Sequence, residues 1–362
     1  MKRSKKRLAL ALLSVAIVPS VALATTVFFV LCLLLVAGLI RQAEAAHIVC
    51  GQTLGPGGLF VLDSNVGPCD DPGPAIEVES ATLDLNGFTV SCADTNANNI
   101  LPDGIVLIDS KAVVLNGTVS GCNDGVLVEG FRDQSKHRVE NVTSDANANN
   151  GFFIDADGVT LIGNTATNNG NHGFKIHGDA NASISNRATN NGSNGFFILF
   201  RKNKLVSNTS TSNGDNGFFI DGDQTTVINN TANNNSNDGF AIFSGQRKFA
   251  GNRASANGNN GFAIFGGNNK LLRNMATDNG NDGFQIGDDS NRLTKNVAEN
   301  NGGNGIYLIP GAFVNRIIKN VASGHLDPNF DLRDDNSGVT CPNTWKNNTF
   351  VTKGGSGVGC IH

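Results

Sequence analysis

Gly151-Phe152-Phe153-Ile154-Asp155-Ala156-Asp157-Gly158-Val159-Thr160-Leu161-Ile162-Gly163-Asn164-Thr165-Ala166-Thr167-Asn168-Asn169-Gly170-Asn171-His172 is followed at once by Gly173-Phe174-Lys175-Ile176, and the pattern starts again. Gly returns at 151, 173, 195, 217, 239, 261, 283 and 305, a step of 22 residues that never slips. Phe follows one residue later until Ile306, and Ile follows three later until Leu308. Asn returns in two further rows, from Asn164 to Asn296 and from Asn169 to Asn301. A fixed period of this length marks a solenoid, in which each coil buries its apolar face only against its neighbours. Within one coil the pattern predicts strands at 151–154, 159–163 and 164–167. Gly and Asn take the corners, because both tolerate left-handed backbone. Equal residues stacked coil on coil let the side-chain amides bond along the axis, so both Asn rows read as structural ladders. The Asn-x-Thr/Ser triplets, such as Asn208-Thr209-Ser210, are by-products of these rows rather than glycosylation sites.

Composition agrees. There are 44 Gly, 22 Phe, one Trp and one Tyr, and only 16% of residues are charged. Gly and Asn are too dense for helix interiors, and apolar residues recur too regularly for disorder. Residues 1–45 hold six basic and one acidic residue, so the remaining 21 basic and 30 acidic residues give that part a formal charge of −9. No basic stripe is visible along the chain, which argues against nucleic acid.

Residues 1–7 carry five positive charges, and 8–40 are predominantly apolar. Ala43-Glu44-Ala45 offers a small-x-small exit. This is the pattern of a secretory signal cleaved after Ala45. The apolar run also exceeds the ~20 residues that span a bilayer, so an uncleaved anchor at 8–40 is the alternative, and an over-extended start is a third. The expected location is secreted, periplasmic or cell surface, with membrane contact only through this segment. The remaining plan is an N-terminal cap and first coils at 47–102, repeats at 103–322, and a stapled C-terminal cap at 323–362.

Six Cys lie beyond the N-terminal run, an even number in a chain read as exported. None forms a CxxC pair, which disfavours zinc. Aligning Asn86 with Asn116 puts Cys92 over Cys122, at the ~4.8 Å spacing of stacked strands, within disulfide reach. The expected pairs are Cys50–Cys69, Cys92–Cys122 and Cys341–Cys360.

Leu83-Asp84-Leu85-Asn86-Gly87-Phe88-Thr89-Val90, Asp103-Gly104-Ile105-Val106-Leu107, Leu115-Asn116-Gly117-Thr118-Val119 and the Asn-Gly-Phe-x-Ile repeats resemble the right-handed parallel β-helix proteins of the pectate-lyase-like superfold. The resemblance covers about residues 80–322. It implies an all-β, right-handed parallel β-helix with three sheets, capped at both ends, one face of which often carries a polysaccharide groove. Relatives include pectate lyases, polygalacturonases and alginate epimerases, and fold alone does not choose among them. A leucine-rich repeat lacks its Leu consensus here, and a propeller needs blades of about 40 residues. The polygalacturonase elements occur only out of order, as Gly287-Asp288-Asp289, Arg316-Ile317-Ile318-Lys319 and Gly324-His325. The alginate-epimerase Asp-Pro-His-Asp signature is absent.

Register supplies the candidate site. Four and six residues after each Gly, stacking gathers Asp155, Asp157, His177, Asp179, Arg201, Asp221 and Asp223, with Lys175 alongside. The five Asp are candidate Ca²⁺ ligands, since Ca²⁺ takes several oxygens. The pectate-lyase resemblance then casts Arg201, Lys175 or His177 as the group that abstracts a proton beside a uronate. The bland reading is a solvated turn rich in Asp. On the outward side of the first strand, Phe153, Phe197, Phe219 and Tyr307 are candidate sugar-stacking residues, because exposed aromatics in a row mark an interaction surface. Two functions remain open: an exported polysaccharide-binding β-helix that cleaves or epimerises its ligand or only holds it, and a non-catalytic surface or adhesion solenoid.

Overall fold

The computed structural model describes residues 45–71, 73–93, 101–130, 135–325, 328–336 and 340–362. The N-terminal signal or anchor expectation lies outside these residues. Among them no helix is long and apolar enough to cross a membrane.

Each coil contributes three short parallel strands. In the coil starting at Gly151 they are Phe152–Asp155, Thr160–Ile162 and Thr165–Thr167, within a residue or two of the expected strands. Each pairs in parallel with its equivalent 22 residues on: Phe152 with Phe174, Leu161 with Ser183, Ala166 with Ala188. The first strands build a 14-stranded sheet from Gln52–Leu54 to Lys353–Gly354. The second and third strands form the other two faces. In two early coils these fuse into the single bent strands Val113–Ser120 and Arg138–Asp145. Asn116 and Asn141 turn the corner there with φ of 54°. The result is the all-β parallel solenoid that the 22-residue period required.

The core follows from strand alternation, in which successive side chains face opposite sides. Phe152, Phe174, Phe196, Phe218, Phe240, Phe262 and Phe284 all point inward and are fully buried. Their rings stack with centroids 4.7–4.8 Å apart and planes within 3–7° of parallel. Small residues such as Ala166 and Ala188 face the stack from the third sheet. They press so close that a methyl on Gly151 would come within 2.8 Å of Ala166 Cβ. That contact explains why Gly, and no other residue, holds the beat.

Both Asn rows form the expected ladders. Along Asn164, Asn186, Asn208, Asn230 and beyond, each backbone N–H and each Nδ2 donates to Oδ1 of the next Asn at 2.8–3.2 Å. The row from Asn147 through Asn301 does the same and ends on buried His325. Two further ladders escaped the sequence. One runs through Asn181, Asn203, Asn269, Asn291, Asn315 and Asn343 at the first corner. Thr225 and then Arg247 interrupt it, Arg247 buried in a slot where most neighbouring coils hold Asn. Its Nε donates to Gly222 O and its Nη1 to Ile220 O. The other ladder occupies the position before each repeat Gly and runs in the opposite sense, each coil donating back to the one before it.

All three disulfides form as expected, with Cys92 and Cys122 Cα atoms 4.8 Å apart. Parallel pairing does not stop at 322. Leu332–Asp334 and Lys353–Gly354 extend the first sheet, and Thr344–Lys346 extends the second, with Trp345 packed into the core.

Candidate functional site

At the corner between the first and second sheets, an open groove of about 1170 Å³ crosses the early coils. Asp109, Glu129, Asp155, Asp157 and Asp179 line it with His177, Phe200 and Arg201. Strand register puts Glu129 beside Asp155, and the next coil places His177 Nδ1 3.0 Å from Asp155 Oδ1. The His177 ring meets Phe200 edge-on at 4.7 Å. Arg201 Nη2 lies 3.1 Å from Asp179 Oδ2. Stacking therefore gathers much of the expected patch. It adds Asp109 and Glu129, which sit in coils of irregular length where counting by 22 does not reach.

The five Asp expected as Ca²⁺ ligands do not share one centre. Among the described residues no three His, Cys, Asp or Glu side chains come together as a cation site. The reason is the local hydrogen bonding. Asp157 Oδ1 accepts the Asp179 N–H at 2.6 Å, Asp179 Oδ1 accepts the Arg201 N–H at 2.8 Å, and Asp223 Oδ1 accepts the Gly245 N–H at 3.2 Å. These carboxylates point along the axis to hold the next turn rather than inward on a shared centre. Asp221 and Asp223 also lie beyond the groove. They are the charges that face buried Arg247, whose guanidinium burial brings down to about 10 while both Asp oppose the shift.

Of the three candidate catalytic residues, His177 and Arg201 line the groove and Lys175 does not. Its Nζ sits 4.2 Å over the Phe153 ring on the open sheet face. The four candidate stacking rings are already covered on at least one side. Phe197 lies between His172 at 4.6 Å and Phe219 at 4.8 Å. Phe219 in turn meets Phe243. Tyr307 carries Arg333 over its ring at 4.7 Å and donates its hydroxyl to Asp335. Rings stacked along the axis present edges outward, so Phe197 and Phe219 offer a sugar little face to stack on. More open are Phe243 and Phe265, at 44% and 38% exposure, which lie off this row, where the earlier coils carry Asp155 and His177.

The reversed ladder beside this row collects buried titratable groups. Asp124, Asp238 and Asp282 accept from Asn150, Asn260 and Asn304, and burial raises the pKa of all three. His172 fills the same slot. Its Nδ1 accepts the Asn194 N–H at 3.3 Å, so the neutral ring is the one the ladder needs. Burial, helped by Lys175 and opposed by Asp215, lowers its pKa to about 4. Between 6.5 and about 4 the unfolded chain holds a proton that the fold excludes, so His172 makes the fold less stable as pH falls through that window. The raised Asp groups act with the opposite sign. His172→Asn, which restores the residue found at 150 and 194, isolates the effect. Its melts are expected to lose less stability than wild type between pH 7 and pH 4, by roughly 2–3 kcal/mol. Parallel pH profiles of the two proteins would refute this.

One arrangement contradicts the reading that no basic stripe exists. On the outer face of the second sheet, Lys248 pairs with Lys270, Lys270 with Arg292 and Arg292 with Arg316, all exposed. The signal was present at the same 22-residue step from Lys248 to Arg292, with one step of 24 to Arg316, but net charge averages it away.

The family description "Right handed beta helix region" matches residues 124–274 and 184–322. No curated protein sequence matches the chain. Among solved structures, the chain is similar to the A-module of mannuronan C-5 epimerase AlgE6 from Azotobacter vinelandii, with a TM-score of 0.60 and 15% identity over 84% of this chain and 91% of that one. The AlgE4 A-module of the same organism gives 0.52 and 13% over 88% and 89%. The Dettilon tailspike protein gives 0.53 and 13% over 82% of this chain, which spans 62% of the tailspike chain. At these identities the likeness is one of fold. With the family description covering more than half of its residues, the chain belongs to the right-handed β-helix family.

Proposed function

We propose that this is an exported protein that binds polysaccharide in the groove between Asp109 and Arg201. The observation that carries the reading is the groove itself, an open trough across successive coils lined with carboxylates, an imidazole and a guanidinium. Carboxylates accept hydrogen bonds from sugar hydroxyls, and charged acceptors make the stronger ones. Five carboxylates face one guanidinium there, which favours a neutral or amino-bearing glycan over a uronate polymer. Similar folds in the mannuronan epimerase modules lend the polysaccharide reading support. Three disulfides fit an oxidising compartment. The lyase reading is less favoured because Arg201 is paired with Asp179 at 3.1 Å.

The test is a panel of neutral, amino-bearing and acidic polysaccharides, measured for both binding and released product. Asp155→Asn combined with Asp179→Asn keeps the backbone-capping oxygen and removes both charges. The pair is expected to weaken glycan binding about ten-fold or more, as for lost hydrogen bonds to charged groups. Product release abolished by His177→Ala would add chemistry to the groove. Failure of wild type to hold any neutral or amino-bearing glycan would refute the proposal.

A further inference from the structure

We propose that the outer face of the second sheet, from Lys248 to Lys346, is a docking surface for a linear acidic polysaccharide, separate from the groove. Two straight rows of cations define it. Lys248, Lys270, Arg292 and Arg316 stand in register on four successive coils. Arg273, Lys295 and Lys319 form the second row at the adjoining corner, each with φ of 55–57°. Lys346 lies in register with Ile318, in the line between the two rows. All eight are exposed. Among the described residues none of the eight makes an ion pair with a carboxylate, although six pairs form elsewhere. Residues 246–250, 268–273, 290–295, 314–319 and 342–347, which make up this face, contain no Asp or Glu.

Like charges directly opposite on neighbouring strands destabilise a sheet. Four in line, on a chain whose body is otherwise acidic, repel one another in every coil. An anionic ligand laid along the axis relieves that repulsion.

Geometry selects the ligand class. The cations repeat at the strand spacing of about 4.8 Å in a straight line. That suits an extended polymer carrying one charge on each ring. The line from Lys248 to Arg316 is roughly 14 Å long, well short of the ~34 Å turn of a DNA duplex, whose phosphates spiral away from a flat face. The outward positions between the two rows are Ala250, Leu272, Thr294 and Ile318. None is aromatic, so the face lacks the platforms on which single-stranded bases stack. Its exposed large apolar side chains are confined to Phe313 and Val314 at one corner, a pair rather than the continuous apolar face that enters a membrane.

Polygalacturonate, with one carboxylate per ring, is the probe. Wild type is expected to bind it with an affinity that falls as salt rises. A variant combining Lys248→Gln, Lys270→Gln, Arg292→Gln and Arg316→Gln is expected to lose about ten-fold or more and to show a shallower salt dependence. Because these side chains are exposed, the variant is expected to melt at or above the wild-type temperature. The Asp155→Asn, Asp179→Asn protein is expected to bind polygalacturonate as wild type does, which separates this surface from the groove. Unchanged affinity in the four-fold variant, or no binding by wild type, would overturn the assignment. So would tighter binding of duplex DNA or phosphatidylglycerol vesicles than of polygalacturonate at equal salt.

Discussion

Asn208→Leu is expected to destabilise the fold by about 3–5 kcal/mol, although it puts an apolar side chain of similar size into a buried site. Area arguments alone predict the opposite sign, since burying a leucine is favourable. The hydrogen bonds decide. Asn208 Oδ1 accepts the Asn186 backbone N–H at 2.9 Å and the Ser183 hydroxyl at 3.1 Å, and Nδ2 donates to Ser183 O at 2.9 Å. Leucine leaves a buried N–H and a buried carbonyl without these partners, each costing ~1–3 kcal/mol, and removes the rung to Asn230 as well. Asn208→Asp sharpens the test. It keeps the acceptor, loses the donor and buries a charge, so its carboxyl titrates high. That variant is expected to gain stability as pH falls and the carboxyl protonates into a donor again. Equilibrium denaturation of the three proteins across pH measures both effects. A leucine variant within 1 kcal/mol of wild type would mean that the ladder is ornament.

The same residues show what could be read without coordinates. The Gly, Phe, Ile and Asn rows determined the three strands per coil, the inward Phe stack and two ladders, because each depends only on equal residues meeting at a fixed step. Cys92 over Cys122 extended that register into irregular coils. Asp109 and Glu129 were not legible as groove residues, since the coils before Gly151 differ in length and their corner positions cannot be counted. The reversed ladder was missed because its slot mixes Asn, Asp and His, which look unrelated until their side chains are seen accepting the same N–H. Side-chain direction was not legible at the candidate calcium ligands. Stacking predicts that Asp side chains share a corner, but it does not say that Asp157 and Asp179 turn along the axis to bond the next coil.

The charge pattern separates two surfaces that a net charge of −4 conceals. Acidic groups gather at the first corner of the early coils, and basic groups gather on the second sheet of the late ones. A solenoid makes this possible because its inside is set by the repeat while its outward positions are free to differ coil by coil. The departures from the repeat are therefore where one coil can present a surface that its neighbours do not.

Phe218→Ala is expected to cost about 4–5 kcal/mol and to break the cooperativity of unfolding. The ring is fully buried in mid-stack, 4.8 Å from both Phe196 and Phe240. Large-to-small changes at such sites cost ~3–5 kcal/mol through lost transfer energy and the cavity left behind, and each aromatic contact adds ~0.5–1.5 kcal/mol. The neighbours cannot close the gap, because hydrogen-bonded ladders on all three sheets hold the coil spacing. Phe152→Ala is the internal control. It stands at the end of the row with one ring neighbour, Phe174, so its loss is expected to be smaller by about 1 kcal/mol. In a one-dimensional array, stability is a sum of coils and the interfaces between them, so a sufficiently weakened interface away from the ends uncouples the segments on either side. The strand of Phe152 is the fifth of fourteen in the first sheet, so Phe152 ends the ring stack and not the array, and it is the smaller loss there that leaves its interface coupled. Trp345, the only Trp, is packed into a C-terminal coil and reports that end alone. In denaturant, wild type and Phe152→Ala are expected to show fluorescence and far-ultraviolet circular dichroism transitions that coincide. In Phe218→Ala the two are expected to separate, with the circular dichroism loss spread over two steps. Coincident transitions in Phe218→Ala would show that the ladders alone carry coupling along the axis and that the Phe stack serves only to fill the core.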